Sequence, residues 1–378
     1  MRAELQATDI CRNGALSCAR VHVCGSQTVG MQLALKDAFC GAAGGSEGRG
    51  TGRVKFVDLF CGCGGASSGA VDAGYEVVLA VDVCEYALSV HRVNHVGCVH
   101  ICTTLPPSEP LPLPADGCVW HLHGSPPCTR VSKAYQQRDS AERQNALAII
   151  EWYTRFAVFS SATSWSMEQV ATPVVIECLQ QLSKCLARTR FDYEVIDLMD
   201  IGVPQHRKRV IAGSPDVVSR VRRLARWRQS VKDVIPFPRA THLRTYMMNS
   251  NPKPDPTGNK KWVYKRYSDD EACKPITDPA PTVVARHFFR WAFPNTDSKL
   301  VLFSVGEMAS LQTFPHGYFF GDKKRKAMRC IGNALPPLAM QQILSGRKPS
   351  RQRTQKRSVL ADPASPSYDR RLHATFKK

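Results

Sequence analysis

Val54-Lys-Phe-Val-Asp-Leu-Phe-Cys-Gly-Cys-Gly-Gly65 is the stretch that decides the fold. Its first seven residues make a short apolar run suited to a buried strand, the glycines set a tight turn, and the small residues that follow suit a closely packed helix. A second apolar run, Glu76-Val-Val-Leu-Ala-Val81, then ends at Asp82. Strand, glycine turn, helix and strand in this order make the repeating unit of a doubly wound α/β sheet, whose ligands bind beyond the carboxyl ends of the strands. Gly62, Gly64 and Gly65 let backbone amides approach a ligand, and a carboxylate about 20 residues later is placed to hold ribose hydroxyls. The pair predicts an adenosine-type cofactor.

Outward from this unit, the pattern predicts strands over Cys118–His123, Ser164–Met167, Tyr193–Asp197 and Arg209–Ala212, with helices over Ala141–Phe159 and Thr172–Leu186. Residues 53–236 therefore read as a mostly parallel, doubly wound α/β domain. Over residues 237–277 the alternation gives way to Pro, Asn, Lys and Tyr, as in a small inserted, loop-rich region. It resumes at Pro281-Thr-Val-Val-Ala285, and Ser304-Val-Gly-Glu307 predicts a helix opened by a capping box, so residues 278–344 return to the main domain. Residues 1–52 end in a glycine-rich linker and read as a flexible extension, whereas residues 345–378 read as a disordered basic tail. No internal repeat is visible.

The formal net charge of +19 points to a polyanionic partner, nucleic acid before an anionic membrane surface. No apolar run approaches the roughly 20 residues of a bilayer span, and no secretory signal opens the chain, so an intracellular protein is expected. Its 15 cysteines follow no paired framework, which predicts reduced thiols. Without a C-x-x-C pair, no metal site is expected.

Three further segments carry chemistry. Gly124-Ser-Pro-Pro-Cys128 places a thiol just past a predicted strand in a loop stiffened by two prolines. Glu168 lies at the end of the next strand, in Trp165-Ser-Met-Glu-Gln-Val170, where it belongs to the same sheet edge or is a solvated carboxylate. In Gly202-Val-Pro-Gln-His-Arg-Lys-Arg209, an extended backbone sends Arg207 and Arg209 to one face and Lys208 to the other.

In this order the segments resemble the cytosine-C5 DNA methyltransferase family over roughly residues 54–344. Asp58-Leu-Phe-Cys-Gly-Cys-Gly-Gly65 is similar to its cofactor loop, Pro126-Pro-Cys128 to its nucleophile loop, Glu168-Gln-Val170 to its Glu-Asn-Val motif and Gln205–Arg209 to its Gln-x-Arg-x-Arg motif. Ser310-Leu-Gln-Thr-Phe-Pro315 and Gly332-Asn-Ala-Leu-Pro-Pro337 resemble its two closing motifs.

The resemblance implies a Rossmann-like class I methyltransferase that uses S-adenosyl-L-methionine. It would act as a monomer on double-stranded DNA with the target base flipped out, in the nucleus of a eukaryotic or viral setting or the cytoplasm of a bacterium. By the same resemblance Phe60 would stack on the adenine, Asp82 would hold the ribose, and Asn333 with Ala334 would bring the C-terminal segment back to the cofactor. Asp58, Gly62, Gly64, Gly65, Val83, Ile101 and Pro126 would complete the cofactor's surroundings. Cys128 would attack C6 of cytosine and Glu168 would bond its N3 and amino edge, while Arg209 would contact O2 and Arg207 the neighbouring phosphate and loop.

Cytosine C5 is a poor nucleophile until a thiolate adds at C6, and cysteine suits that step because its thiolate is accessible near neutral pH. Within a duplex C6 is hidden, hence the flipped base. This chain departs from the family pattern at three positions. Gln169 replaces the asparagine that braces the nucleophile loop, which predicts a longer or displaced hydrogen bond. Val83 stands where an aromatic packs on adenine, and His100 where an aspartate contacts the adenine amino group, which predicts weakened cofactor affinity. Methylation of transfer RNA, known in one branch of the family, and a non-catalytic DNA-binding role are the alternatives. Residues 237–277 would be the target-recognition region, with basic and aromatic residues such as Arg244, Lys261, Trp262 and Tyr264, but no base preference is legible there.

Overall fold

A computed structural model describes residues 53–127, 140–186, 191–235, 242–247, 273–285, 287–292 and 301–348. The expected N-terminal extension, Cys128, most of the recognition region and nearly all of the basic tail lie outside these residues.

The first glycine-turn unit folds as expected: β1 (Lys55–Leu59), α1 (Gly65–Asp72) and β2 (Glu76–Asp82). There follow α2 (Glu85–Asn94), β3 (Val99–Cys102), β4 (Trp120–Gly124), α3 (Ser140–Phe159), β5 (Ser164–Val170), α4 (Pro173–Cys185), β6 (Asp192–Asp197), β7 (Lys208–Gly213) and α5 (Pro215–Arg222). The seven strands form one sheet in the order β3-β2-β1-β4-β5-β7-β6. β1 pairs in parallel with β2 on one side and β4 on the other. The strand order reverses there, so the crevice beyond the ends of β1 and β4 is the place where such a sheet binds ligands.

β7 is the exception to the parallel sheet, running antiparallel to both β5 and β6. Its link to β6 contains only a 3-10 turn at Leu198–Asp200, without a crossover helix, and so short a link joins antiparallel neighbours. Sequence reading missed β3. Its four residues, Val-His-Ile-Cys, three half-buried and the last exposed, contain no continuous apolar run.

Helices cover both faces. Val57, Leu59, Leu122 and Met167 pack with Ile150 and Tyr153 of α3 and Leu179 of α4. On the other face Phe56 and Ile211 pack with Ala66 of α1, Val217 of α5 and Met340 of the C-terminal helix. Each such side chain removed from water contributes roughly 1.5–3 kcal/mol.

The second unit combines α6 (Val231–Val234) with β8 (His242–Met247), β9 (Cys273–Pro275), β10 (His287–Ala292) and β11 (Val301–Leu302). These strands form an antiparallel sheet in the order β11-β10-β8-β9. The sheet does not stop at the expected boundary of 277: β10 pairs with β8 along its whole length, and Phe289 and Phe303 join one core. Pro281–Ala285 is a loop rather than a strand, because its polar backbone is taken by residues 204–207: Ala280 N–H donates to Pro204 O at 2.9 Å and Val283 N–H to Gln205 Oε1 at 2.8 Å.

Three helices close the chain: α7 (Val305–Leu311), α8 (Lys324–Asn333) and α9 (Pro337–Ser345). The predicted capping box opens α7, with Ser304 Oγ accepting from Glu307 N at 3.1 Å and Glu307 Oε2 accepting from Ser304 N at 2.6 Å. α9 packs on α1, where a side chain at Gly69 would overlap the Pro337 carbonyl. Among the described residues no helix is long and apolar enough to cross a membrane.

Candidate active site

Beyond Leu59 the backbone enters positive φ at Phe60 (+58°), Gly62 (+55°) and Gly64 (+94°). Such a conformation costs a residue with a side chain roughly 1–3 kcal/mol. At Phe60 it sets the half-buried ring edge-on to Trp152 and Tyr153, each at 6.4 Å. Gly64 caps α1, and the neighbouring Gly65 admits no side chain because a Cβ would overlap the Leu335 carbonyl and meet Ala334 Cβ at 3.0 Å. The C-terminal segment therefore does return to the glycine loop, with Asn333 exposed and Ala334 half-buried beside it.

Asp82 sits at the end of β2 and accepts from the amides of Gly62 and Cys84, both at 2.8 Å. Val83 next to it is 64% exposed, an apolar side chain left in water at the rim of the crevice. Ile101 is half-buried on β3. Asp58 lies beneath the loop rather than on its open side: it is 1% exposed and accepts from Ser67 Oγ at 2.6 Å. Burial raises its pKa to about 7, against the opposing bond from Ser67. Tyr318 supports the loop from the C-terminal half, donating to Cys63 O at 2.6 Å.

The second half of the site begins where β4 ends. Gly124 has no room for a Cβ against the ring of Tyr153, whose hydroxyl donates to Ser166 O at 2.8 Å. The chain continues through Ser125 and the buried Pro126 to Pro127, the residue before Cys128. Gln169 Nε2 donates to Pro126 O at 3.1 Å. The brace expected to be lengthened or displaced by Gln169 is thus formed at ordinary length.

Glu168, adjacent on β5, pairs with Arg209 on β7, Arg209 Nε lying 2.5 Å from Glu168 Oε1. The two are 8% and 9% exposed. Two charges so nearly enclosed are held together by each other, and removing one leaves an uncompensated charge at a cost of about 3–5 kcal/mol.

Arg207 shares the face of Arg209, as the alternation predicted, while Lys208 is exposed. Its environment is different. At 3% exposure, its guanidinium donates to the carbonyls of Val283 at 2.8 Å, Gly332 at 3.3 Å and Ala334 at 2.9 Å. So enclosed, the guanidinium forms a clamp on backbone. Sequence reasoning missed two glutamines that extend the clamp. Gln205 donates to Leu311 O at 2.7 Å and Gln312 Oε1 at 2.6 Å, while Gln312 donates to Ile331 O at 2.8 Å and Ala334 O at 2.6 Å. Both glutamines are fully buried.

The loop, the carboxylate at the end of β2, the braced proline loop and the buried Glu–Arg pair lie along one edge of the sheet. The profile of C-5 cytosine-specific DNA methylases matches residues 54–265 and 215–347. The chain is 26% identical over 298 residues to the Type II methyltransferase M.HgiDI of Herpetosiphon aurantiacus, covering 75% of this chain and 90% of that protein. Its fold is shared with a putative DNA modification methyltransferase encoded within an Escherichia coli prophage, at TM-score 0.53 and 18% identity over 78% of this chain and 98% of the other. The methyltransferase EhMeth of Entamoeba histolytica is similar at TM-score 0.54 and 13% identity, over 78% of this chain and 98% of that one. The chain belongs to the C-5 cytosine-specific DNA methylase family and is a DNA cytosine-C5 methyltransferase.

Proposed function

We propose that Cys128, Glu168 and Arg209 carry the methylation of cytosine in double-stranded DNA, on a base turned out of the helix, with the glycine loop and Asp82 holding S-adenosylmethionine. The observation that carries this reading is the buried Glu168–Arg209 pair beside the Gln169–Pro126 brace. A carboxylate held in place by an arginine can accept from the amino group of cytosine and stabilise the charge that develops at N3. Arg209 stands beside it for O2.

The cofactor edge fits its group. The Asp82 carboxylate, the exposed apolar Val83 and the glycine turn share the crevice at the ends of β1 and β2, an acceptor for ribose hydroxyls beside an apolar surface for adenine. Bound there, S-adenosylmethionine supplies an electrophilic methyl group. The chain's own part is to expel water, hold the base and polarise it. Cys128 thiolate adds at C6, electron density moves to C5 while Glu168 stabilises the change at N3, and after methylation water takes the C5 proton as the C6–S bond breaks and the thiolate is released.

Arg207 acts as a positioning residue, fixing the Gly332–Ala334 segment against the loop. One chain supplies both edges, so a monomer suffices. Its substrate places it with the genome, in a nucleus or a bacterial cytoplasm according to the host. The test is incorporation of labelled methyl from S-adenosylmethionine into unmethylated duplex DNA and into transfer RNA, with bisulfite sequencing of the DNA. Label at cytosine C5 of DNA is expected; label confined to transfer RNA would contradict the reading.

A further inference from the structure

Behind Ser67 of α1 and Asp58 of β1, three residues from two elements converge. His91 lies in the last turn of α2, Cys98 just before β3, and His100 on β3 two residues later, so that Cys98 and His100 point to the same face. One ligand atom from each lies within 4.8 Å of the others. The geometry points to a zinc site formed by His91, Cys98 and His100.

The hydrogen bonds around His91 are those of a ligand already oriented. Ser67 Oγ lies 2.6 Å from Asp58 Oδ2 and 3.0 Å from His91 Nε2. A serine hydroxyl has one proton; given to the Asp58 carboxylate, it leaves the oxygen to accept from His91, which fixes the proton on Nε2. His91 Nδ1 then carries the lone pair, and it faces His100 Nε2 at 2.8 Å. A ligating histidine whose other nitrogen is held through a hydroxyl by a buried carboxylate is the outer-shell arrangement that orients metal-bound imidazoles.

The donor set selects the metal. Two imidazoles and a thiolate suit a borderline-soft divalent ion, and zinc accepts them in a tetrahedron with bonds of about 2.0–2.1 Å to nitrogen and 2.3 Å to sulfur. Those bonds set the two nitrogens about 3.3 Å apart, so entry of the ion parts the His91 and His100 nitrogens by about half an ångström. The fourth position is left to water. On binding, the Cys98 thiol gives its proton to solvent and His100 moves its own from Nε2 to Nδ1, so one proton leaves per zinc ion bound. The expectation of no metal site rested on the missing C-x-x-C spacing, whereas this set comes from a helix end and the one strand of the seven-stranded sheet that sequence reading missed. Occupied, the site ties α2 to β3 and, through Ser67 and Asp58, braces the helix and strand that flank the glycine loop.

The full-length chain, stripped with chelator and kept reduced, is titrated with Co(II) and then with Zn(II). Expected are one high-affinity ion per chain, a near-ultraviolet thiolate-to-cobalt charge-transfer band, tetrahedral visible bands that zinc abolishes, and release of one proton per zinc. Cys98→Ser should remove the charge-transfer band, and Ser67→Ala, which deletes no ligand, should weaken zinc affinity about 10- to 100-fold. Cys102→Ser, an exposed thiol of the same strand outside the set, should change neither. Circular dichroism confirms that each variant is folded; should Cys98→Ser not fold, Ser67→Ala and the proton count decide. Absence of a stoichiometric ion, an unaltered charge-transfer band in Cys98→Ser, or undiminished affinity in Ser67→Ala would overturn the assignment. Neither result depends on methyl transfer, so failure here is distinguishable from failure of the catalytic reading.

Discussion

Arg207 and Arg209 stand two residues apart on the same face at the start of β7, both nearly enclosed, yet they do different work. Arg207 donates to backbone carbonyls from distant parts of the chain, whereas Arg209 meets the carboxylate of Glu168 at the open edge of the sheet. The difference lies in the neighbour, not in the residue. Neutral carbonyls leave a guanidinium's charge in place as a fixed clamp, while a carboxylate beside it becomes an acceptor held ready for the substrate. In the proposed mechanism one short motif thus serves architecture and chemistry from alternate positions of a strand.

The sharpest way to break this contrast is to neutralise the pair on its chemical side. Glu168→Gln keeps shape and some hydrogen bonding but removes the charge, and single-turnover methyl transfer should fall about 10²- to 10³-fold, with DNA affinity changed little. Equal losses in rate and affinity would make Glu168 a structural carboxylate. On the architectural side, Arg207→Met takes this donor from the Val283 and Gly332 carbonyls and leaves Ala334 O to Gln312 alone, and denaturant unfolding should show a loss of about 2 kcal/mol or more. Cofactor binding should weaken as the Gly332–Ala334 segment loosens. A variant that unfolds like the parent but no longer binds DNA would return Arg207 to a phosphate-contacting role.

Comparing these stabilities requires a fixed pH, for a reason built into β4. His123 is fully enclosed, and burial pulls its pKa down from 6.5 to about 3. Between those values the unfolded chain takes up a proton that the folded chain refuses. Stability from this residue is therefore complete above pH 6.5 and is lost as pH falls toward 3, by up to about 1.4 kcal/mol per pH unit. His123→Asn should flatten the acid limb of a stability–pH curve by that slope. An unchanged limb would show that His123 is not the group refusing the proton. The smallest effect is expected at the brace: Gln169→Ala should cost about 1 kcal/mol, the net worth of one hydrogen bond, and should slow covalent adduct formation more than it weakens DNA binding. Normal adduct kinetics would remove the brace from the account.

Local patterns carried most of the scaffold. Alternating apolar runs located β1, β2, β4, β5, β6 and β7 to within three residues, and the Ser304–Glu307 pair located the start of α7, since strand burial and helix capping are written in adjacent residues. What stayed illegible was long-range polar pairing. Gln205 and Gln312 are 107 positions apart, each within a motif of its own, and nothing in either motif names the other as its partner. For the same reason Arg207 and Arg209 were given similar exposure to substrate, their partners lying on other elements. β3 was hidden because His100 and Cys102 interrupt its apolar pattern, and with it the convergence of His91, Cys98 and His100. At Gln169 the sequence departs from the family, but a side chain one methylene longer still reaches the Pro126 carbonyl.

The central claim is that the loop braced by Gln169 and faced by the Glu168–Arg209 pair delivers Cys128 to C6 of cytosine. Duplex DNA containing 5-fluorocytosine tests it most directly, since fluorine at C5 cannot leave as a proton does and the covalent adduct persists. With S-adenosylmethionine present, the parent chain should give a complex that survives denaturation, and mass spectrometry should place the DNA on Cys128. No adduct with the parent, or as much with Cys128→Ala, would contradict the account.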